Sequence, residues 1–163
     1  MASHKLLLED DLEEEYNLIA VHCSEEAYKM AFLLNRHLGL QLKRKRVDLD
    51  FSINGLEVTF PIFKFEDEFQ YTTYYLVSNK CKSKVAQLNS AGGLFDDQES
   101  GKTVTAYLLP EFKKVDFFLK IESDLENIPL RKTLAQLNEI KEVISSYEVH
   151  QEQIKSTINL IFH

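Results

Sequence analysis

The chain has 163 residues, a length typical of one domain, with 44% hydrophobic residues, 28% charged residues and a formal net charge of −7. Only five glycines and three prolines occur, which argues against a linker-rich or disordered protein. No apolar run approaches the roughly 18 residues that cross a bilayer, and residues 6–8 (LLL) are too short for the apolar part of a signal peptide. The sequence therefore predicts a cytoplasmic protein that does not enter a membrane.

Negative charge is concentrated at the N-terminus. Residues 1–15 contain six acidic residues and one lysine, so the rest of the chain is close to neutral. We interpret residues 1–14 as an acidic tail and residues 15–163 as a single α+β domain. A nearly neutral domain lacks the broad positive field of a general nucleic-acid binder, although it is compatible with a local basic patch.

The first predicted elements are a strand and a helix. Residues 16–22 (YNLIAVH) contain aromatic and β-branched residues and favour a strand. Apolar residues recur at helical spacing over residues 27–38, which predicts an amphipathic helix. Ser24 is the expected N-cap, and Gly39 is the expected end of the helix.

The next segment changes to a period of two. Residues 47–53 alternate between apolar and polar types, which predicts a half-buried strand. The Asn-Gly pair at 54–55 predicts a two-residue hairpin turn. Residues 58–65 then form the return strand, in which Pro61 indicates an edge or a bulge. Residues 71–78 (YTTYYLVS) predict a further strand.

The middle of the chain contains a long excursion at residues 79–102, and loops of this length are often functional or mobile. Residues 103–109 and 115–122 predict a hairpin around residues 110–114. In its second strand two sets of side chains face opposite ways: Val115, Phe117, Leu119 and Ile121 on one side, and Asp116, Phe118, Lys120 and Glu122 on the other.

The C-terminal part predicts a second helix that begins near Asn127, with Pro129 in its first turn. Residues 142–149 fit either a continuation of this helix or a strand, and their β-branched and serine content favours the strand. Residues 158–162 (INLIF) predict a last short strand. The element order predicts an α+β fold, with a largely antiparallel sheet and two helices packed on one face.

No constellation of residues predicts catalysis or a metal centre. His22 and Cys23 are adjacent on a strand, so their side chains point to opposite faces and Cys23 is expected to be a buried structural residue. Cys23 and Cys81 lack CxxC spacing and a histidine cluster, which predicts reduced thiols without a metal or other cofactor. A P-loop that ends in the Gly-Lys-Thr at 101–103 needs a glycine at position 96, where Asp96 stands.

One dense basic run precedes the alternating strand. It consists of Lys43, Arg44, Lys45 and Arg46. Such a run binds RNA or an acidic protein partner, or else it is a solvated strand start that guards a sheet edge and pairs with the acidic tail. In the RNA interpretation, three lysines of the long excursion extend the nucleic-acid surface: Lys80, Lys82 and Lys84.

Phenylalanines and tyrosines lie on four of the predicted strands. Aromatic residues on both faces of a strand are typical of a core combined with an oligomer interface, so a homodimer fits this pattern. A ligand pocket or a platform on which bases stack is the alternative.

Residues 109–117 (LPEFKKVDF) carry a resemblance to a known family. The segment is similar to the signature of the IPExxxVDY family of short Bacteroidetes proteins, with Leu109 in place of isoleucine and Phe117 in place of tyrosine. The C-terminal residues 159–162 (NLIF) also resemble the usual ending of that family. The resemblance implies no activity, cofactor or catalytic residue, and the gene neighbourhood of the family associates it only loosely with RNA metabolism.

Elementary geometry gives this motif two interpretations. In the first, Pro110 fixes the backbone at the end of one strand while Glu111 and Asp116 shape the hairpin. In the second, the same three residues form a recognition surface. The sequence favours a non-catalytic protein-interaction module that uses the hairpin and the long excursion. An RNA-binding or RNA-metabolism accessory protein is the first alternative, and an enzyme with an unrecognised site, which requires a deep polar pocket, is the second.

Overall fold

A computed structural model describes residues 15–53, 55–84, 103–126 and 128–162. The predicted acidic tail at 1–14 lies outside these residues, as does most of the long excursion. The described strands, in chain order, are β1 Tyr16–Cys23, β2 Lys43–Arg44, β3 Leu49–Ile53, β4 Leu56–Phe60, β5 Ile62–Asp67, β6 Thr72–Ser78, β7 Lys80–Lys84, β8 Thr103–Tyr107, β9 Phe117–Ser123 and β10 Val143–Val149. The α-helices are α1 Ala27–Leu38 and α2 Leu130–Glu139.

Six strands form the main sheet in the order β10-β1-β9-β6-β5-β2, and every neighbouring pair in it is antiparallel. Two small sheets accompany it, one from β3 and β4 and one from β7 and β8. The predicted α+β class with a largely antiparallel sheet is therefore confirmed.

The core lies on both sides of β9, whose residues 117–121 are all buried. One cluster combines Leu119 with Leu34 of α1 and Leu137 of α2. The other combines Phe118 with Phe60 of β4 and with Leu160 near the C-terminus. Neighbouring residues of β9 therefore serve two different cores, as expected for a central strand.

The local predictions around α1 and β10 are mostly confirmed. Helix α1 ends at Gly39, whose φ of 70° lies in the left-handed region that glycine adopts without strain. The expected N-cap at Ser24 is wrong, because Glu26 occupies that position and makes no side-chain cap hydrogen bond. The strand interpretation of residues 142–149 is confirmed by β10, which pairs with β1.

The predicted hairpin at residues 54–55 is also confirmed, since Ile53 pairs with Leu56. The long return strand is not a single strand, because Pro61 separates β4 from β5 and the two halves belong to different sheets. Proline has no backbone N–H to offer to a sheet, so a break at this position is physically reasonable.

The second predicted hairpin, around residues 110–114, is wrong. Strand β8 pairs with β7, whereas β9 lies between β1 and β6. Residues 108–116 instead cross from the small sheet to the main sheet and contain a 3₁₀ turn at Pro110–Phe112. The predicted last strand at 158–162 is wrong as well, because Thr157–Leu160 forms a 3₁₀ turn that buries Leu160.

Asparagine side chains from the two helices form hydrogen bonds with backbone groups at or next to the edge strands β2 and β10 of the main sheet. The amide of Asn35 both accepts from the N–H of Leu42 (2.8 Å) and donates to its carbonyl (3.1 Å). The amide of Asn138 forms the same pair of bonds with Ser146 on β10 (2.9 and 3.4 Å). An amide side chain presents the same donor and acceptor as a peptide unit. The two asparagines therefore use backbone N–H and C=O groups with which a further strand would otherwise pair.

Candidate functional site

The basic run at 43–46 lines a groove at the β2 edge of the main sheet. This basic groove has a volume of about 470 Å³ and is lined by Gln41, Lys43, Arg44, Lys45, Arg46, Lys64, Phe65 and Glu66. Pairing of β2 with β5 places Lys43 directly opposite Lys64. Two like charges at opposed positions repel each other, so this arrangement favours an anion between or above them.

Two of the basic side chains in the groove are paired with carboxylates. The Arg44 guanidinium donates to both oxygens of Asp48, at 3.3 and 2.7 Å, and this hydrogen bonding raises the pKa of Arg44. Lys64 forms an ion pair with Glu66, which raises the pKa of the lysine and lowers that of the glutamate. Both pairs are largely solvated, so they orient the side chains without contributing much stability. Lys43 and Arg46 are exposed at the same groove.

A second concavity, the acidic cleft, lies at the end of β5 where the chain turns into β6. It has a volume of about 500 Å³ and is lined by Glu15, Glu66, Asp67, Glu68, Tyr71, Thr72, Thr73, Glu122, Ser123 and Asp124. Glu66 belongs to both concavities, so positive and negative surfaces meet along one strand. Within the described ranges, no group of three or more His, Cys, Asp or Glu residues is placed to hold a metal ion.

The three lysines proposed to extend the basic run lie on β7. The Lys80 ammonium is 2.9 Å from a carboxylate oxygen of Asp116, and Lys82 is exposed. Neither contributes to the lining described for the basic groove. The side chain of Lys84 lies outside the described residues, so the role of these lysines in nucleic-acid binding stays a prediction.

The acidic residues of the motif make internal contacts. The Glu111 carboxylate accepts hydrogen bonds from the backbone N–H groups of Lys155 and Ser156, both at 2.9 Å, and from the Ser156 hydroxyl at 3.0 Å. Burial by itself raises the pKa of Glu111, but these hydrogen bonds outweigh it and the net pKa is lowered. The sequence indicated that Glu111 holds its own turn; the structure shows that its carboxylate also binds the C-terminal segment.

Asp116 and Pro110 also have structural positions. One Asp116 oxygen accepts from the backbone N–H of Cys23 at 2.9 Å, while the other meets Lys80. Pro110 is the first residue of the 3₁₀ turn and is exposed. A recognition role for Pro110, Glu111 and Asp116 stays a prediction.

Two residues that the sequence did not indicate dominate the polar interior. Asn79 is 0% exposed and binds three backbone groups of the 108–116 crossing. Lys120, on the central strand, is only 1% exposed. The alternation of residues along β9 predicted that Lys120 shares a face with Phe118. It did not indicate that other residues bury this face.

The adjacent residues His22 and Cys23 have separate surroundings. Cys23 is buried in the core cluster that contains both helices, and burial raises the pKa of its thiol. The His22 ring lies beside Tyr147, with Nε2 at 3.1 Å from the tyrosine oxygen. Burial and a raised pKa both make a thiol a poor nucleophile, which agrees with the expected structural role of Cys23.

No protein-family model matches the chain, and no curated protein is significantly similar to it. Among the residues that the structure covers, neither helix has the length and apolar character needed to span a bilayer.

Proposed function

We propose that this protein is a non-catalytic binding module that holds an acidic protein segment in the basic groove. The observation that carries the proposal is the convergence of Lys43, Arg44, Arg46 and Lys64 on one concavity of a chain whose net charge is −7. A local cation cluster on an otherwise acidic protein attracts an anion to one place and repels it elsewhere, which gives orientation as well as affinity.

An acidic protein segment fits this surface better than RNA does. The groove is short and ends at Glu66, where the acidic cleft begins. A long polyanion that continues along β5 meets the carboxylates of Asp67 and Glu68, whereas a short acidic segment stops before them. Nucleic-acid binding also draws on many phosphate contacts over a wide positive surface.

Three finer features belong to the same proposal. Both helices contribute to one core cluster, from which we infer that they cover a single face of the sheet. The proposed compartment is the cytoplasm, where the two free cysteines stay reduced. The similarity of residues 109–117 to the IPExxxVDY signature is compatible with a binding module but adds no activity to it.

The test measures binding of fluorescent probes by anisotropy at several salt concentrations. The probes are a synthetic Glu- and Asp-rich peptide and a single-stranded RNA of similar length. The groove variant carries Lys43→Glu and Arg46→Glu. The matched control carries Arg131→Glu and Lys132→Glu, which make the same charge change on an exposed part of α2.

We expect the wild type to bind the acidic peptide, with affinity that falls as salt rises. The groove variant should bind at least about tenfold more weakly, since like charges placed together at an interface cost several kcal/mol. The control variant should bind like the wild type. An equal loss of peptide affinity in both double variants would reject the groove as the binding site. If only RNA bound, and its binding required the groove, the ligand would be RNA and not an acidic protein segment.

A further inference from the structure

Lys120 is the most unusual side chain of the fold, because a lysine occupies a buried position on the central strand. Its side chain is only 2% exposed. Removing an ammonium from water is costly, and a buried ion pair often stabilises a fold no more than a well-packed apolar pair of similar volume does. The position therefore calls for an explanation other than core packing.

The contacts of Lys120 join the sheet to the C-terminal segment. Its ammonium donates to the carbonyl of Leu160 at 2.9 Å and forms an ion pair with Glu122 at 2.6 Å. Three aromatic rings surround it, with centroids at 4.7 Å for Tyr16, 5.2 Å for Phe162 and 5.8 Å for Tyr75. Rings at these distances attract a cation through their faces.

Residues 154–162, here called the C-terminal strap, supply two of these contacts through Leu160 and Phe162. The strap is held at a second point by Glu111, which binds the backbone of Lys155 and Ser156. Asn159 adds one hydrogen bond, to the carbonyl of Leu108 at 2.8 Å. Each of these hydrogen bonds involves a side chain on one side, either of the strap or of its partner. The described strap contributes no strand to the sheets.

The strap follows β10 through a short connection. Residues 150–153, which connect it to β10, are all exposed. Two apolar side chains of the strap face solvent, with Ile158 74% exposed and Ile161 51% exposed. Ile154 and Leu160 pack in the core cluster on this face, but the described strap takes no part in strand pairing, so it can open without breaking the sheet beneath it.

We propose that the C-terminal strap is a releasable internal ligand of a peptide-binding site formed by Lys120, Tyr16, Tyr75 and Glu122. The site recognises a backbone carbonyl through the ammonium and an aromatic side chain through the rings, as Leu160 and Phe162 show. When the strap opens, Lys120 lies beside the acidic cleft, because Glu122 lines both places. The site then accepts a segment of the same chemistry from another molecule.

The first experiment measures how fast an acetylating reagent modifies Lys120, by mass spectrometry of the digested full-length protein. Exposed Lys132 on α2 serves as the internal reference. The variant Glu111→Gln removes the charged anchor of the strap but keeps its shape. Leu34→Ala, which acts in the opposite core cluster, serves as the control for general destabilisation.

We expect Glu111→Gln to raise the labelling of Lys120 relative to Lys132 by on the order of tenfold, the effect of losing one charge-assisted hydrogen bond. Leu34→Ala should leave that ratio near the wild-type value under native conditions. Equal labelling of Lys120 in the two variants means that it becomes accessible only by global unfolding, and this overturns release of the strap.

The second experiment adds a synthetic peptide of residues 154–162 (IKSTINLIF) to the Glu111→Gln variant. The peptide lacks only the covalent connection to β10, so it should compete with the strap when present in excess. We expect it to keep Lys120 protected, while a scrambled peptide of the same composition does not. Lack of protection by the native sequence would show that the site does not accept a segment in trans.

Discussion

Asn79 is expected to be among the most sensitive polar positions of the fold. Its Oδ1 accepts from the backbone N–H of Leu109 at 2.8 Å, and its Nδ2 donates to the carbonyls of Phe112 and Val115 at 2.8 and 2.9 Å. One side chain therefore satisfies three backbone groups of the crossing between the small sheet and the main sheet. Without it, the 3₁₀ turn has no polar partner on that side.

The variant Asn79→Ala leaves the Leu109 N–H and the Val115 carbonyl without this partner, while the Phe112 carbonyl still accepts from the Val115 N–H. Asn79 is 0% exposed. A buried polar group that loses its partner costs about 1–3 kcal/mol, so the two together should cost roughly 2–6 kcal/mol, with the lower value if a water enters. This is a large part of the about 5–15 kcal/mol that stabilises a typical domain. Asn79→Asp should be no better, because it keeps the acceptor but replaces two donors.

Urea denaturation followed by circular dichroism measures this free energy. Asn35→Ala is the matched control, since Asn35 also binds backbone groups but is half-buried and serves only Leu42. We expect the control to lose about 1–2 kcal/mol, because its two hydrogen bonds are only partly buried and serve a single residue. A loss below about 1 kcal/mol for Asn79→Ala, or equal losses in the two variants, would show that Asn79 does not organise the crossing.

Three further predictions concern single positions. The pKa of Glu111 is lowered on folding, so its contribution to stability is present at neutral pH and disappears as the pH falls through about 4.3 and then through the folded value. Glu111→Gln should flatten this acid part of the stability profile, and an unchanged slope would contradict the role of Glu111. Cys81 should react with a thiol reagent well before Cys23, which is 1% exposed, and simultaneous reaction would contradict the burial of Cys23. Gly39→Ala should destabilise the fold by about 1–2 kcal/mol, because alanine is strained at a φ of 70°, and Gly39→Asn should cost less.

Features that depend on neighbouring residues were predictable from the sequence. Helix α1 with its end at Gly39 follows from apolar spacing and from the left-handed conformation of one residue. The turn at 54–55 follows from the Asn-Gly pair, and the strand at 143–149 from residues that disfavour a helix. In each case the deciding interactions lie within a few residues of one another.

Strand pairing was less predictable, because it depends on distant residues. Two β-rich segments on either side of Pro110 favour a hairpin by local rules. The structure separates them because Asn79 binds the crossing, Asp116 ties its end to Cys23 of β1, and β7 supplies another partner for β8. Similarly, the apolar run near Leu160 resembles a strand, but its polar partners on Lys120 and Glu111 hold it as a strap.

The lysines of this protein show how environment decides the role of one residue type. Lys43 is exposed and opposes Lys64, so its charge is available to a ligand and contributes little to the fold. Lys120 lies among rings and beside the partly exposed Glu122, so removing its ammonium leaves the buried carbonyl of Leu160 without this donor, a change that typically costs about 1–3 kcal/mol. Lys43→Glu should therefore weaken peptide binding at nearly unchanged stability, whereas Lys120→Met should lower stability while the basic groove still binds. If Lys120→Met instead abolished binding at the basic groove without loss of stability, the basic groove and the site around Lys120 would be a single site.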